Sequence, residues 1–538
     1  MSSGHRDTFA RDNLPPRALW PAMDYSVLPA LASYPARLNC AVELLDRRVQ
    51  AGDGDRVAIR WPAGEWTCAE LLATVNRIAR VLVEDLGLVS GNRVLLHGPN
   101  NPMMAACWFA ILKAGGICVA TMPLLRAREL AAICAKAAIT LALTDVRLAA
   151  ELDAATASSP LERVVRFGTD DTDALDALAR SKPSTFDSVD TAADDVALIA
   201  FTSGTTGAPK GTVHFHRDVL AICDCFPQSI LRAGRDDVFC GSPPLAFTFG
   251  LGGLLLFPLR IGATALLLED AKPPQLLESI ARLGATVCFT APTAYRAIAG
   301  IAGARDLSSL RKCVSAGETL PLGTFEQWER TTGIRIIDGI GTTEMLHIFI
   351  SAAEPDVRPG STGRVVPGYR ARVVDDAGNE VPRGEVGSLA VRGPTGCRYL
   401  ADEERQRGYV RDGWNHTGDA YVQDDDGYFW YQARTDDMII SSGYNIAGPE
   451  VENVLLEHAA VAECGVVGLA DDERGSVVSA FIVLRNGFDA NEAMVKTLQD
   501  FVKASIAPFK YPRRIRFVEQ LPRTQTGKLQ RFRLREFE

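Results

Sequence analysis

From about residue 40 onward, helix-like and strand-like patterns of hydrophobic positions alternate along the chain. In TCAELLATVNRIARVLVEDLG (67–87) apolar residues recur at helical spacing and the pattern stops at Gly87. NRVLLHG reads as a strand, PMMAACWFAILKAGG as a helix closed by glycines, and ICVATM as a strand again. Such alternation predicts α/β layers with mostly parallel sheets. Around 361–400 the rhythm shortens, because ARVVDDAGNEVPRGEVGSLAVRG is interrupted by the turn-like runs DDAGNE and PRGE. After YFWYQARTDDMIISSGYNIAGPEVENVLLEH a smaller α/β pattern occupies about the last hundred residues. In it, Pro449 begins a helix whose Val451, Val454 and Leu455 share a face. The expectation is an α/β protein in two parts. Residues 1–435 form a large domain of layered α/β subdomains plus a short-stranded β subdomain, and residues 436–538 form a small α+β domain.

Composition narrows the function classes. A chain of 538 residues is too long for one core. Its 47% hydrophobic and 23% charged residues are ordinary for a globular protein. A formal net charge of −9 argues against nucleic acid as the main partner, since phosphate-backbone binding draws on clustered Lys and Arg. The N-terminal run MSSGHRDTFARDNLPPRALWP lacks the apolar core of a secretion signal. The most apolar stretch, 249–268, is broken by Pro258 and Arg260 and reads as packed core, not as a membrane span. The 12 cysteines are scattered; only Cys223 and Cys225 come close together, a weak metal signal. They read as buried free thiols of a cytoplasmic protein. Nothing in the sequence chooses between monomer and homodimer.

The densest candidate chemistry is AFTSGTTGAPKGTVHFH (200–216), directly after the apolar run VALIAF. A P-loop of the form G-x-x-x-x-G-K-[ST] fails: counting from Gly204, Pro209 stands at the second glycine and Gly211 follows Lys210. The physics still favours a phosphate cradle. Backbone amides around Gly204 and Gly207 form an anion nest, the hydroxyls of Thr202, Ser203, Thr205 and Thr206 donate, and Lys210 adds a point charge. The bland alternative is a flexible surface loop with an incidental lysine. His214 and His216 read as supports of this loop, not as ligands.

TSGTTGAPKG is similar to the phosphate-binding signature of the adenylate-forming superfamily, which includes acyl- and aryl-CoA synthetases, luciferases and peptide-synthetase adenylation domains. SAGETLP (315–321), DGIGTTEM (338–345), GWNHTGD (413–419), ARTDDMIISSGYNIAGPEVE (433–452) and LPRTQTGKLQR (521–531) follow in the family's order. Within the superfamily, DGIGTTEMLHIFIS and the opening DTFARDNLPP resemble the benzoate- and 2-aminobenzoate-CoA ligase branch.

The resemblance implies ATP, Mg²⁺ and coenzyme A as co-reactants. A carboxylate is a poor acyl donor until attack on the α-phosphorus of ATP makes a mixed anhydride, so catalysis consists mainly of positioning and electrostatics. The loop 202–211 would hold the β- and γ-phosphates. Glu344 is a hard oxygen ligand suited to Mg²⁺, and Thr343, next to Thr342, would donate to the α-phosphate. Gly317, Glu318 and the segment Asp338, Gly339, Ile340, Gly341 would line the adenine pocket, with aliphatic Ile340 at the usual aromatic position. Asp419 and Arg434 would hold the ribose. Lys528 would bridge the substrate carboxylate and ATP, its bland alternative being a solvated lysine in a tail where nine Lys or Arg between 510 and 535 face the single acid Glu519.

Lys528 would reach the site only when the C-terminal domain closes. The resemblance makes that domain mobile and puts its hinge at Asp436. After adenylation, rotation would present 439–445 to the incoming thiol, with Ser441, Ser442, Gly443 and Tyr444 as the CoA segment. Gly448 stands where the family commonly has proline, with Pro449 one residue later. The acyl pocket would be lined by Phe247, Tyr295, Ala316, Gly317, Ile340, Gly341, His347 and Ile348, a slot suited to a flat ring. His347 is either a neutral wall or a partner for a ring substituent. The expected activity is an AMP-forming aryl-CoA ligase acting on 2-aminobenzoate or benzoate, with a small carboxylate, ATP and CoA as its partners. A short- or medium-chain acyl-CoA synthetase and an adenylation enzyme that loads a carrier protein are the alternatives.

Overall fold

The computed structural model describes residues 3–203, 209–303, 305–435, 437–441, 444–471, 475–523 and 529–537. The helix expected from 67 forms as Cys68–Arg80 and winds on as a wider turn through Asp85. A capping box starts it: Thr67 Oγ1 accepts from the Glu70 amide, and the Glu70 carboxylate accepts from the Thr67 amide. The helix Pro102–Lys113 starts at Asn101, whose Oδ1 accepts the Met104 amide at 2.9 Å, with Pro102 in the first turn. Every residue from Met104 to Lys113 is buried, so this helix lies between layers.

Two large sheets build the N-terminal part. One has six strands in the order Arg163–Phe167, Leu141–Asp145, Arg93–His97, Ile117–Thr121, Val196–Ser203, Pro209–Phe215. It is parallel except for the last strand, which returns antiparallel on Val196–Ser203. The other has nine strands. Its parallel centre runs Ile336–Gly341, Lys312–Ser315, Val287–Thr290, Val238–Gly241, Thr264–Leu266, Val57–Trp61, with antiparallel strands at both edges. Strands Arg93–His97 and Leu141–Asp145 are buried along their whole length, as expected of parallel strands covered on both faces.

The short strands expected around 361–400 form an antiparallel sheet of Arg370–Val374, Val386–Arg392, Val410–Arg411, Trp414–Gln423 and Phe429–Arg434. The smaller C-terminal α+β unit has a three-stranded sheet, Val461–Asp471, Gly475–Leu484 and Arg514–Phe517, packed with helices Gly448–Glu457 and Glu492–Ser505. Val451, Val454 and Leu455 face its core. A Cβ on Gly448 would stand 2.8 Å from the Val466 carbonyl oxygen, so this helix start admits no side chain. The segment 249–268 is packed core, and all 12 cysteines are buried and unpaired. Among the described residues no helix is long and apolar enough to cross a membrane.

Candidate active site

The hairpin of Val196–Ser203 and Pro209–Phe215 sets Thr202 opposite Lys210 and Ser203 opposite Pro209. Gly204, Thr205, Thr206 and Gly207, at its tip, lie outside the described residues. Farther down the same strand, buried His214 places Nε2 at 2.8 Å from the Thr343 carbonyl oxygen, so Nε2 is the donor. The hairpin is thereby tied to the short turn Thr343–Met345, whose start is capped by Thr342 Oγ1 accepting the Met345 amide at 3.1 Å.

Glu344 is held by a residue the sequence did not point to. The Tyr399 hydroxyl donates to Glu344 Oε1 at 2.7 Å. Tyr399 arrives there because its segment pairs with the hairpin strand: the Val213 amide donates to the Arg398 carbonyl and the Leu400 amide to the Gly211 carbonyl, each at 2.8 Å. Arg398 in turn forms a buried 2.9 Å ion pair with Asp218. Burial pushes the Asp218 carboxyl up, but Arg398, His214 and the Phe215 amide outweigh it and hold the pKa below the usual range. Removing either partner of such a buried pair costs about 3–5 kcal/mol.

The segments expected to line the adenine pocket converge because the strands Lys312–Ser315 and Ile336–Gly341 run parallel with Ser315 beside Asp338. Their carboxyl ends bring Ala316, Gly317 and Glu318 next to Asp338, Gly339, Ile340 and Gly341. Burial pushes the Asp338 carboxyl up to about 8, against the pull of Ser315 and the Gly339 amide. At neutral pH this side chain is therefore mostly a neutral carboxyl, able to donate as well as accept. On the third sheet, Asp419 and Arg434 are cross-strand partners, with Arg434 Nη1 at 3.2 Å from Asp419 Oδ1 and 3.0 Å from the Thr417 carbonyl.

The C-terminal unit touches this region through Arg523, which lies 3.8 Å from Glu318 and 2.7 Å from Glu463. Arg523 also bridges to Leu529, so the two ends of the TQTGK segment are joined. Lys528 itself lies outside the described residues, as do Asp436, Ser442 and Gly443. Ser441 is buried and pairs with Tyr444 in a short two-stranded hairpin.

Of the residues expected to line the acyl slot, Ala316, Ile340 and Ile348 join one continuous core with Phe289 and Phe257. Half-buried Phe247 caps the short helix Thr248–Leu251. His347 lies among four phenylalanines, its ring centroid 4.5 Å from Phe257, 5.8 Å from Phe226 and Phe249, and 6.5 Å from Phe289. Burial drives its pKa down to about 3, against the opposing pull of the Phe249 backbone. The structure does not bring Tyr295 to this group. Val287, Phe289 and Val314 face the slot side of the sheet, whereas Cys288 and Cys313 face the opposite core, where Tyr295 is fully buried against Trp328. The Tyr295 hydroxyl lies 2.8 Å from the Cys288 carbonyl oxygen and 3.1 Å from that of Val314. Tyr295 is therefore corrected to a core residue, and Phe249 supplies an aromatic neighbour that the sequence reading passed over.

The profile of the AMP-binding enzyme family matches residues 45–399, and that of the AMP-binding enzyme C-terminal domain matches 450–528. The chain is 36% identical over 518 residues to the benzoate–CoA ligase of Thauera aromatica, covering 95% of this chain and 98% of that one. Among solved structures it resembles the anthranilate CoA ligase AuaEII in complex with anthranoyl-AMP, at TM-score 0.89 and 34% identity, covering 94% of this chain and 98% of that one. It also resembles a benzoate CoA ligase from Burkholderia xenovorans LB400, at TM-score 0.85 and 32% identity, covering 93% and 100%.

Proposed function

The chain belongs to the AMP-binding enzyme family, and from that premise we propose that it is an ATP-dependent aryl-CoA ligase acting on benzoate-type acids, with 2-aminobenzoate ahead of benzoate. An oxygen of the acid attacks the α-phosphorus of ATP and pyrophosphate leaves. The thiol sulfur of CoA then attacks the acyl carbon of the aryl-AMP, and AMP leaves. Lys210, Thr202 and the hairpin tip hold the outer phosphates, and Thr343 donates to the α-phosphate. Asp338 meets the adenine, and Asp419 with Arg434 holds the ribose.

Glu344 fits a Mg²⁺ ligand. Among the described residues no cluster of three or more His, Cys, Asp or Glu could hold a metal, and Mg²⁺ characteristically takes one or two carboxylates plus phosphate oxygens and water. When bound, the ion would neutralise charge developing on the phosphates.

Lys528 would act in the closed pose and Asp436 would be the hinge between domains 1–435 and 436–538. The Arg523–Glu318 contact across the two supports a closed adenylation pose here. Buried, unpaired cysteines support a reducing cytoplasm.

The observation that carries the aminobenzoate preference is His347, a buried imidazole held neutral among phenylalanines. A ring amine could donate to an imidazole nitrogen. The test is CoA-dependent AMP release across benzoate, its amino and hydroxy derivatives and linear acids, with wild type and His347→Ala. The expected result is that aromatic acids lead and the variant loses more kcat/KM with 2-aminobenzoate than with benzoate. Equal losses reduce His347 to a wall, and a preference for hexanoate overturns the aryl assignment.

A further inference from the structure

The acyl slot and the phosphate hairpin belong to different sheets, so the slot must be registered against a layer to which it is not hydrogen-bonded as a strand. Phe247 sits in the segment 242–250, which follows the strand Val238–Gly241 of the nine-stranded sheet. This segment is tightly folded on itself. The Phe247 amide donates to the Pro244 carbonyl at 3.0 Å, and a Cβ on Gly250 would fall 2.1 Å from that same oxygen. Its packing against the six-stranded layer is incomplete. A void of about 10 Å³ separates Leu245, Ala246 and Thr248 from Trp108, Cys118 and Leu198.

One side chain clamps the segment from the other layer. Asn100 Nδ2 donates to the Pro243 carbonyl at 2.9 Å, and Asn100 Oδ1 accepts the Leu245 amide at 2.7 Å. The side-chain amide thus uses both its ends on backbone groups two residues apart, as a neighbouring strand would. Asn100 is buried and follows Arg93–His97, the strand at which the spatial order of the six-stranded sheet reverses although the strands on either side stay parallel to it. From there the chain goes first to Ile117–Thr121 on one side and then crosses to Leu141–Asp145 on the other. An open cavity of about 680 Å³, lined in part by Asn100, Asn101, Trp61 and Trp66, lies next to it. Between this cavity and the small void, directional hydrogen bonds, rather than dense packing alone, hold the segment in place.

We propose that Asn100 is the positioning residue that sets the acyl slot and thereby the choice of acid. It touches no reacting atom and acts by fixing the backbone that carries Phe247. Removing it leaves the Pro243 carbonyl and the Leu245 amide without their partner, and the segment relaxes into the adjacent space. The slot then loses the shape that distinguishes a planar ring from a flexible chain. The hairpin and the Thr343–Met345 turn have their own anchors, so ATP binding is spared.

The inference rests on Phe247 being a wall of the slot, and the experiment separates the two. Steady-state kcat/KM is measured for benzoate and hexanoate, and KM for ATP, in wild type, Asn100→Ala, the isosteric Asn100→Asp and Phe247→Ala. Asn100→Asp keeps the acceptor for Leu245 but sets a carboxylate against the Pro243 carbonyl, so it perturbs the clamp without removing volume. The expected result is a fall in the benzoate-to-hexanoate ratio of roughly 10-fold or more in both Asn100 variants, a range typical of pocket discrimination, with KM for ATP within about 2-fold. An unchanged ratio in both Asn100 variants while Phe247→Ala shifts it overturns the role of Asn100 alone. An unchanged ratio in all three overturns Phe247 as a wall, and the inference with it. A rise in KM for ATP matching the rise for the acid makes Asn100 general scaffold and also overturns the proposal.

Discussion

The hydroxyl of Tyr399 donates to Oε1 of Glu344 across 2.7 Å, joining two residues 55 positions apart. Burial, followed by the Glu344 charge, pushes the Tyr399 phenol far above its usual pKa, so the tyrosine stays a donor throughout the working pH range. The bond fixes one oxygen of the carboxylate that is proposed above as the Mg²⁺ ligand. Hydrogen bonds to charged groups contribute about 1.5–3 kcal/mol.

Tyr399→Phe should therefore lower kcat/KM for ATP by about 10- to 100-fold, since about 1.4 kcal/mol is a factor of ten. It should also raise the Mg²⁺ concentration needed for half-maximal rate. Pyrophosphate–ATP exchange titrated with Mg²⁺ reads both. An unchanged Mg²⁺ dependence would show that the bond does not orient Glu344 for the ion.

Lys528→Ala should abolish aryl-adenylate formation while sparing thioester synthesis from supplied aryl-AMP. The two half-reactions are assayed separately, by pyrophosphate exchange and by CoA-dependent consumption of the adenylate. Equal loss in both would make Lys528 structural or shared by both poses.

A proline at Asp436 fixes φ near −65° and removes a backbone donor, so it should hold the C-terminal domain in one orientation. Asp436→Pro should retain one half-reaction while overall turnover collapses. Normal turnover with free CoA would sink the two-pose mechanism for this chain.

Acid should destabilise the protein through its buried histidines. Burial holds His347 and His216 neutral, each with a pKa near about 3 against an unfolded value of 6.5. Below pH 6.5 the unfolded chain takes up protons that the folded chain refuses. Stability is thus intact above pH 6.5 and falls as pH drops toward 3, by up to about 1.4 kcal/mol per pH unit for each group. His347→Leu should flatten the decline in unfolding midpoint measured from pH 7.5 to 5. An identical pH slope in the variant would mean that His347 does not carry this linkage.

Much of the fold was legible in the hydrophobic pattern, because periodicity records which side of an element must be buried. The helix at 68–80, the all-buried strand 93–97 and the largely buried strand 117–121 follow from that alone, as does the change to short strands near residue 370. The motifs were legible for a related reason. They are contiguous runs of residues, and the family they pointed to is the one whose profiles match the chain.

Contacts between distant segments were not written that way. Tyr295 and Phe249 are both aromatic, and both lie near an apolar strand. The alternation of Val287, Cys288 and Phe289 gives the folded sheet two cores; the helix Pro292–Ile301 packs Tyr295 into one, and Phe249 lies against the other beside His347. Tyr399 reaches Glu344 because residues 398–400 pair with the hairpin strand, and no spacing in the sequence announces it. The protonation of Asp338 is set by the depth at which two strand ends leave its carboxyl. The sequence determined the elements and the local chemical groups, since these depend on neighbours along the chain. Tertiary structure alone decided which groups meet and which carry charge, since burial and partnership depend on neighbours in space.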